Sequence, residues 1–139
     1  MMSCTKVIIV GSNPSESSPT MTPFDRNTKT YKVLVDDILD KAIDGGRHIE
    51  FLNVLDKKTP NNRPLSAAEI KEGLPLLEEK IKQFPGFKIV GVGKTAQKAL
   101  TLLGLDFFPL PHTSGLNRQW NDKDFKEQKI NELRDYLSS

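Results

Sequence analysis

Hydrophobic and polar positions form blocks along the chain that predict strands and helices in alternation. The run Lys6–Val10 is rich in β-branched residues and is ended by Gly11, as expected of a buried strand. Across residues 30–42, apolar side chains recur at helical spacing, which predicts a helix that stops before Gly45 and Gly46. A second strand is predicted over His48–Leu55.

The second half of the chain continues the alternation. Ser66–Glu69 has the pattern of a capping box, and apolar positions at helical spacing follow it as far as Ile81. Pro75 lies within this stripe, so a kink and a later helix start are both compatible with the sequence. Further blocks predict a strand over 88–92, a helix from Gly93, a short strand within 105–110 and a final helix over 122–137.

This order of elements predicts the fold class. Strands that alternate with helices form parallel sheets with right-handed helical crossovers. We therefore expect an α/β protein, a three-layer α/β/α sandwich around a four-stranded, mainly parallel sheet in the order 2-1-3-4. The chain has no internal repeat and no linker that would divide it, so residues 1–139 are expected to form one domain.

Composition narrows the classes of protein. Twenty Lys and Arg against 18 Asp and Glu give a net charge of +2, which neither indicates nor excludes a nucleic-acid binder. The single cysteine, Cys4, excludes an intrachain disulfide framework, a cysteine-ligated zinc site and a four-cysteine iron–sulfur cluster. The longest apolar run near the start, Val7–Val10, is too short for a membrane span or a signal-peptide core. We expect a cytoplasmic protein of a bacterial or viral host cell, or a nuclear one in a eukaryote.

Candidate chemistry is concentrated in three polar loops. They follow the first, second and fourth predicted strands and contain Asn13–Ser15, Asn61–Arg63 and His112–Arg118. Ligands of such sheets bind outside the carboxyl ends of the strands, so the loops are expected to meet at one cleft, although the fold alone also predicts loops there. Gly91–Thr95 resembles the end of a phosphate-binding P-loop, but Lys88 stands where its first glycine is required. A strand-to-helix turn that holds one phosphate is the better interpretation.

Several of these residues resemble the motifs of a known family. Gly11–Ser15 after the first strand and His112–Asn117 after the last are similar to the two signature motifs of the uracil-DNA glycosylase superfamily. The stretch from Asn53 through Pro60–Arg63 to Val90–Gly93 looks like the centre of the bacterial iron–sulfur members. The resemblance covers nearly the whole chain in order, but a single cysteine cannot hold the cluster of those members.

The resemblance implies a monofunctional DNA glycosylase. Such an enzyme flips uracil or a related deaminated or mismatched base out of DNA and hydrolyses its N-glycosidic bond, which leaves an abasic site. DNA is then the partner, no metal or redox cofactor is needed, and a monomer is expected. Two alternatives stay open, a catalytically weak or inactive glycosylase-like DNA-binding module and an enzyme of small nucleotides or nucleosides.

The same resemblance assigns roles to individual residues. The catalytic pair is Asn13, which would orient the attacking water, and His112, which would donate a hydrogen bond to the leaving base. The mismatch-specific and single-strand-selective members also carry asparagine at the position of Asn13, whereas the fastest members carry aspartate there. Asn13→Asp is therefore expected to keep or raise activity on uracil. The base-binding residues would be Ser12, Phe24 and Asn53. The DNA-binding residues would be Lys94, Thr95, Ser114, Leu116, Asn117 and Arg118, with Leu116 as a wedge in the base stack.

Departures from the family pattern bear on specificity. Thr113 replaces the usual proline of the second motif, and Ser15 stands where uracil-strict members have a tyrosine. Exclusion of thymine therefore does not follow from the sequence. A basic side that faces DNA is expected from Lys88, Lys94, Lys98 and Arg118, and Trp120 is expected to pack in the core or a loop.

Overall fold

A four-stranded parallel sheet forms the centre of the molecule. The computed structural model describes residues 5–13, 29–43, 46–60, 64–111 and 118–138. The order of the strands is β2-β1-β3-β4, and every neighbouring pair is parallel. The predicted α/β class and strand order are confirmed. The strands are β1 (Thr5–Gly11), β2 (Arg47–Asn53), β3 (Lys88–Val92) and β4 (Phe108–Leu110).

The register places the carboxyl ends of all four strands at one edge of the sheet. Gly11 pairs with Asn53, so β1 and β2 end side by side. On the other side of β1, Val10 pairs with Gly91 of β3, and the end of β3 in turn pairs with the end of β4. Loops that leave these four ends therefore begin along a single line, with β1 near its middle.

Four helices cover the sheet within the described residues. Helix α1 spans residues 29–42 and consists of an α-helical turn, Lys29–Lys32, a π-helical centre, Val33–Leu39, and a second α-helical turn, Asp40–Ala42. The periodicity predicted the helix but not its π-helical centre, because the apolar spacing indicates which face is buried and not which carbonyl each amide contacts. The others are α2 (Ala67–Lys82), α3 (Lys94–Leu102) and α4 (Lys123–Ser138), with a short 3-10 helix, Arg118–Asn121, before α4.

Helix α2 begins at the predicted capping box. The amide of Glu69 donates to Ser66 Oγ at 3.2 Å, and the amide of Ser66 donates to Glu69 Oε1 at 2.9 Å. The helix continues through Pro75, so a later start is wrong. Proline removes the hydrogen bond to the carbonyl of Lys71, and both residues are exposed, so water can solvate that carbonyl.

Two hydrophobic cores lie on opposite faces of the sheet, which confirms the three-layer architecture. Side chains of β1 alternate between them: Val7 and Ile9 pack with α1 and α4, whereas Ile8 and Val10 pack with α2 and α3. All four of these side chains are fully buried, as expected of a central strand covered on both faces. Trp120 lies in the first core with its ring centroid 5.2 Å from that of Phe125, as the sequence predicted.

One expectation about charge is wrong. Lys88 is the first residue of β3 and therefore lies at the amino end of the strand, opposite the edge where the loops begin. Its Nζ atom lies 5.2 Å from the centre of the Tyr136 ring. Lys88 therefore does not contribute to a basic surface at the carboxyl edge. No helix in the described parts of the chain is long and apolar enough to cross a membrane.

Candidate site at the carboxyl edge of the sheet

The side chain of Asn13 is held in one orientation just beyond the end of β1. Ser12 Oγ donates to Asn13 Oδ1 at 3.0 Å, and Asn13 Nδ2 donates to the carbonyl oxygen of Lys57 at 2.8 Å. A carbonyl oxygen accepts and cannot donate, so this pair of contacts distinguishes the two ends of the amide. Ser12 and Asn13 are both partly exposed.

Asn53 lies beside this pair at the end of β2. It is 6% exposed, and its Nδ2 atom donates to Asp56 Oδ1 at 3.4 Å. Backbone hydrogen bonds continue past both strands, because the amides of Val54 and Leu55 donate to the carbonyls of Gly11 and Ser12 at 2.9 and 3.1 Å. The structure thus brings together three residues predicted for one site: Ser12, Asn13 and Asn53.

The segment that follows β2 is attached to helix α2 at two charged contacts. Lys57 Nζ lies 3.1 Å from Glu69 Oε2, and Lys80 Nζ lies 3.6 Å from Asp56 Oδ2. Sequence reasoning missed all four residues as parts of a site. Its only signal was the capping box, which identifies Glu69 as a helix cap and contains no information about Lys57.

Helix α2 also approaches the backbone of this segment closely. A Cβ atom added to Gly73 would lie 2.0 Å from the carbonyl oxygen of Val54 and 2.9 Å from its carbonyl carbon. Only a residue without a side chain allows this contact. Because Val54 directly follows Asn53, the position of α2 determines the path of the chain at the site.

A second group of predicted residues lies at the turn between β3 and α3. Gly93 has a φ of 86°, a conformation that favours glycine, and its amide donates to the carbonyl of Leu110 at 2.9 Å. Gln97 Nε2 donates to the carbonyls of Gly91 and Leu110 at 3.2 and 3.1 Å. Gln97, which the sequence did not identify, thus joins the ends of β3 and β4.

Lys94 and Thr95 occupy the first turn of α3, beside an open cleft. Lys94 is exposed and Thr95 is partly exposed. The cleft has a volume of about 580 Å³, within the range of ligand sites. Its lining residues come from α3, β4, the 3-10 helix and α4, and two of them, Lys94 and Lys129, are basic. They are Gly93, Lys94, Gln97, Pro109, Pro111, Gln119 and Lys129.

The remaining predicted site residues lie outside the described residues. These are Phe24, His112, Ser114, Leu116 and Asn117. Arg118 begins the 3-10 helix, and the structure describes its backbone but not its side chain. Their roles stay predictions. Among the described residues there is no group of three His, Cys, Asp or Glu side chains that could hold a metal ion.

The fold and the side chains at the carboxyl edge of the sheet together define a class of protein. It is a three-layer α/β sandwich with amide and hydroxyl side chains at the ends of the neighbouring strands β1 and β2. The family follows from comparison with known proteins. The chain matches the model of the uracil DNA glycosylase superfamily over residues 3–135. It therefore belongs to that superfamily, whose members are typically DNA glycosylases with DNA as their substrate. Comparison with curated proteins gave no match.

Proposed function

We propose that the protein is a monofunctional DNA glycosylase that excises uracil or a related deaminated or mismatched base and leaves an abasic site. The observation that carries this proposal is the oriented amide of Asn13 at the end of β1, beside Ser12 and Asn53. Membership of the superfamily supports the reaction class, and the matched range, residues 3–135, spans both stretches on which the resemblance rests.

The chemistry requires stabilisation of charge more than a strong base. The bond between C1′ and the base nitrogen breaks, and its electron pair leaves with the base, so the sugar becomes oxocarbenium-like and the base becomes anionic. A water oxygen then bonds to C1′ and releases its proton to solvent. His112 is proposed to donate a hydrogen bond to the anionic base. It follows Leu110 by two positions, and two donors from the β3–α3 region hold the Leu110 carbonyl.

Asn13 is proposed to orient the attacking water. Its Oδ1 atom accepts from Ser12, and a carbonyl oxygen has a second lone pair that can accept from water. An amide cannot remove a proton from that water, so the rate constant is expected to be lower than that of an enzyme with a carboxylate at this position.

The flipped base is proposed to lie between Phe24 and Asn53. The aromatic ring would stack on the base, and the amide of Asn53 can donate and accept at the same time, as recognition of a Watson–Crick edge requires. Leu116 is proposed to fill the space that the base leaves in the duplex. The cost of base flipping is lowest for damaged or mismatched bases, which itself favours their excision.

DNA phosphates are proposed to bind at the first turn of α3, beside the carboxyl edge of the sheet. Lys94 lines the cleft at the first turn of that helix, and Thr95 follows it. Ser114 and Asn117, which follow β4 in the sequence, and Arg118 at the start of the 3-10 helix are proposed to add contacts. Such contacts fix the position of DNA without reading its sequence.

The test is a panel of labelled oligonucleotides incubated with excess protein. The panel contains U·A, U·G, T·G, hypoxanthine and single-stranded uracil, and alkali then cleaves any abasic site. The proposal expects product from at least one uracil substrate and a large loss of product in His112→Ala. His48→Ala is the matched control, because it removes the other histidine, an exposed residue of β2 paired with Glu50 at 2.7 Å.

A glycosylase-like DNA-binding module is the second candidate. The observation that favours it is that Asn13 is an amide, with one contact to the protein from each of its polar atoms. Binding of these oligonucleotides without product from any of them would support the module and overturn the enzyme.

A further inference from the structure

We propose that Glu69 is a positioning residue for Asn13 and acts through Lys57. This inference rests on the proposed role of Asn13 in the glycosylase. It comes from three contacts in series: Glu69 Oε2 with Lys57 Nζ at 3.1 Å, the Lys57 carbonyl with Asn13 Nδ2 at 2.8 Å, and Asn13 Oδ1 with Ser12 Oγ at 3.0 Å. Glu69 lies on helix α2, whereas Ser12 and Asn13 directly follow strand β1.

Glu69 has little freedom to move. Its Oε1 atom accepts from the amide of Ser66, the N-cap of α2, and the Glu69 side chain is 11% exposed. The second carboxylate oxygen therefore has a fixed position from which it contacts Lys57. Lys57 is different, because its side chain is 57% exposed and its residue lies between elements. The rigid partner of the ion pair thus constrains the less rigid one.

The ion pair contributes to position more than to stability. Pairs with an exposed lysine typically stabilise a fold by less than about 1 kcal/mol. A small displacement of the Lys57 carbonyl, however, moves the acceptor of the Asn13 amide directly. Misplacement of a reacting group by about 1 Å can lower a rate by about a hundredfold.

The same contacts make the site selective for asparagine. The Lys57 carbonyl accepts a hydrogen bond from the side-chain amide of residue 13, which a carboxylate in its place could not donate. A carboxylate at residue 13 would place an oxygen against this carbonyl oxygen, so it would have to rotate away. The role of Lys57 is therefore specific to an enzyme that carries an amide at this position.

Two variants remove the ion pair while the helix cap is retained. Glu69→Gln keeps an acceptor for the Ser66 amide, because glutamine serves in capping boxes, but removes the charge that holds Lys57. Lys57→Met removes the ammonium group and keeps the backbone carbonyl. Lys57→Arg is the conservative variant, which restores a cation of similar reach. Lys82→Met is the matched control, since Lys82 pairs with Glu78 at 3.4 Å on the same helix, away from these contacts.

The first measurement is the single-turnover rate constant of base excision, taken with the Kd for the same oligonucleotide. Glu69→Gln and Lys57→Met are expected to lower the rate constant by about tenfold or more with an unchanged Kd. Lys57→Arg is expected to stay within about twofold of the wild type, and Lys82→Met is expected to match it. A loss that appears only in Kd would make Lys57 a DNA contact and would overturn the proposal.

The second measurement does not depend on activity. The side-chain amide resonances of Asn13 in a two-dimensional ¹⁵N spectrum report the hydrogen bond to Lys57. They are expected to shift in Glu69→Gln and Lys57→Met and to stay in place in Lys82→Met. Unchanged resonances in the first two variants would overturn the proposal. If the wild-type protein excises no base, the proposed function fails, and the spectrum still decides whether Glu69 positions Asn13.

Discussion

Substitution of Gly73 by alanine tests the packing that supports the candidate site. Gly73 lies in the middle of α2, and an added Cβ atom would be 2.0 Å from the Val54 carbonyl oxygen. Ordinary contacts of a Cβ atom lie at 3.4–4 Å, so the helix and the end of β2 must separate by more than an ångström. The atoms in the way belong to the backbone and cannot rotate aside.

The magnitude follows from two opposing effects. Alanine favours a helix over glycine by about 1 kcal/mol. Insertion of an extra methyl group into a packed region costs about 1–3 kcal/mol, and a contact this short lies at the upper end of that range. Gly73→Ala is therefore expected to lower the free energy of unfolding by about 2 kcal/mol, which corresponds to a Tm lower by about 6 °C.

The assay is urea denaturation followed by circular dichroism, with Gly46→Ala as the control. Gly46 has no atom within 4 Å of its added Cβ and no positive φ, so its substitution is expected to leave stability unchanged or slightly higher. The excision rate constant of Gly73→Ala is expected to fall as well, because Val54 follows Asn53. If Gly73→Ala were as stable as the wild type or more stable, helix propensity would dominate, and the close approach of α2 would be refuted.

Three further predictions concern the site and the pH dependence of stability. Because Asn13 donates to the Lys57 carbonyl and an aspartate could not, Asn13→Asp is expected to lower the single-turnover rate constant for excision of uracil, the reverse of the expectation from the sequence. A rate constant equal to or above that of the wild type would contradict this geometry. Leu116→Ala is expected to weaken excision from duplex DNA more than from single strands, whereas equal losses on the two substrates would count against a wedge. Burial raises the pKa of Tyr136, so the neutral phenol is favoured in the folded state, and its contribution to stability is lost as the pH rises through the raised pKa. The urea midpoint should therefore fall above about pH 10, less so in Tyr136→Phe, with Tyr31→Phe as the control for loss of a phenol.

The fold could be predicted because its signals are local. The fully apolar run of β1 indicates a strand covered on both faces, and the capping box at Ser66 indicates where α2 begins. Lys88 was wrongly assigned to the basic edge although the predicted strand, residues 88–92, already began with it: in a parallel strand the first residue lies at the end opposite the carboxyl edge.

The candidate site was predicted in part. Asn13 and Asn53 were found because each follows a recognisable strand, and the register of β1 and β2 brings these strand ends together. Glu69, Lys57 and Gln97 were missed because their contacts join separate elements, and neither their types nor their spacing indicates the partner. Such contacts depend on where each helix lies over the sheet. That position is determined by the packing of all the core side chains together and not by any local pattern in the sequence.

The protein is proposed to excise a base without cleaving the DNA strand, and release of the free base is the decisive observation. The measurement is free uracil, quantified chromatographically after incubation of a U·G duplex with excess protein, together with abasic sites in the same sample before any alkali is added. Equal amounts of uracil and abasic sites are expected, with intact DNA strands and with little of either product from His112→Ala. Bound DNA that releases no free base, from this duplex or from single-stranded uracil, would contradict the proposed excision.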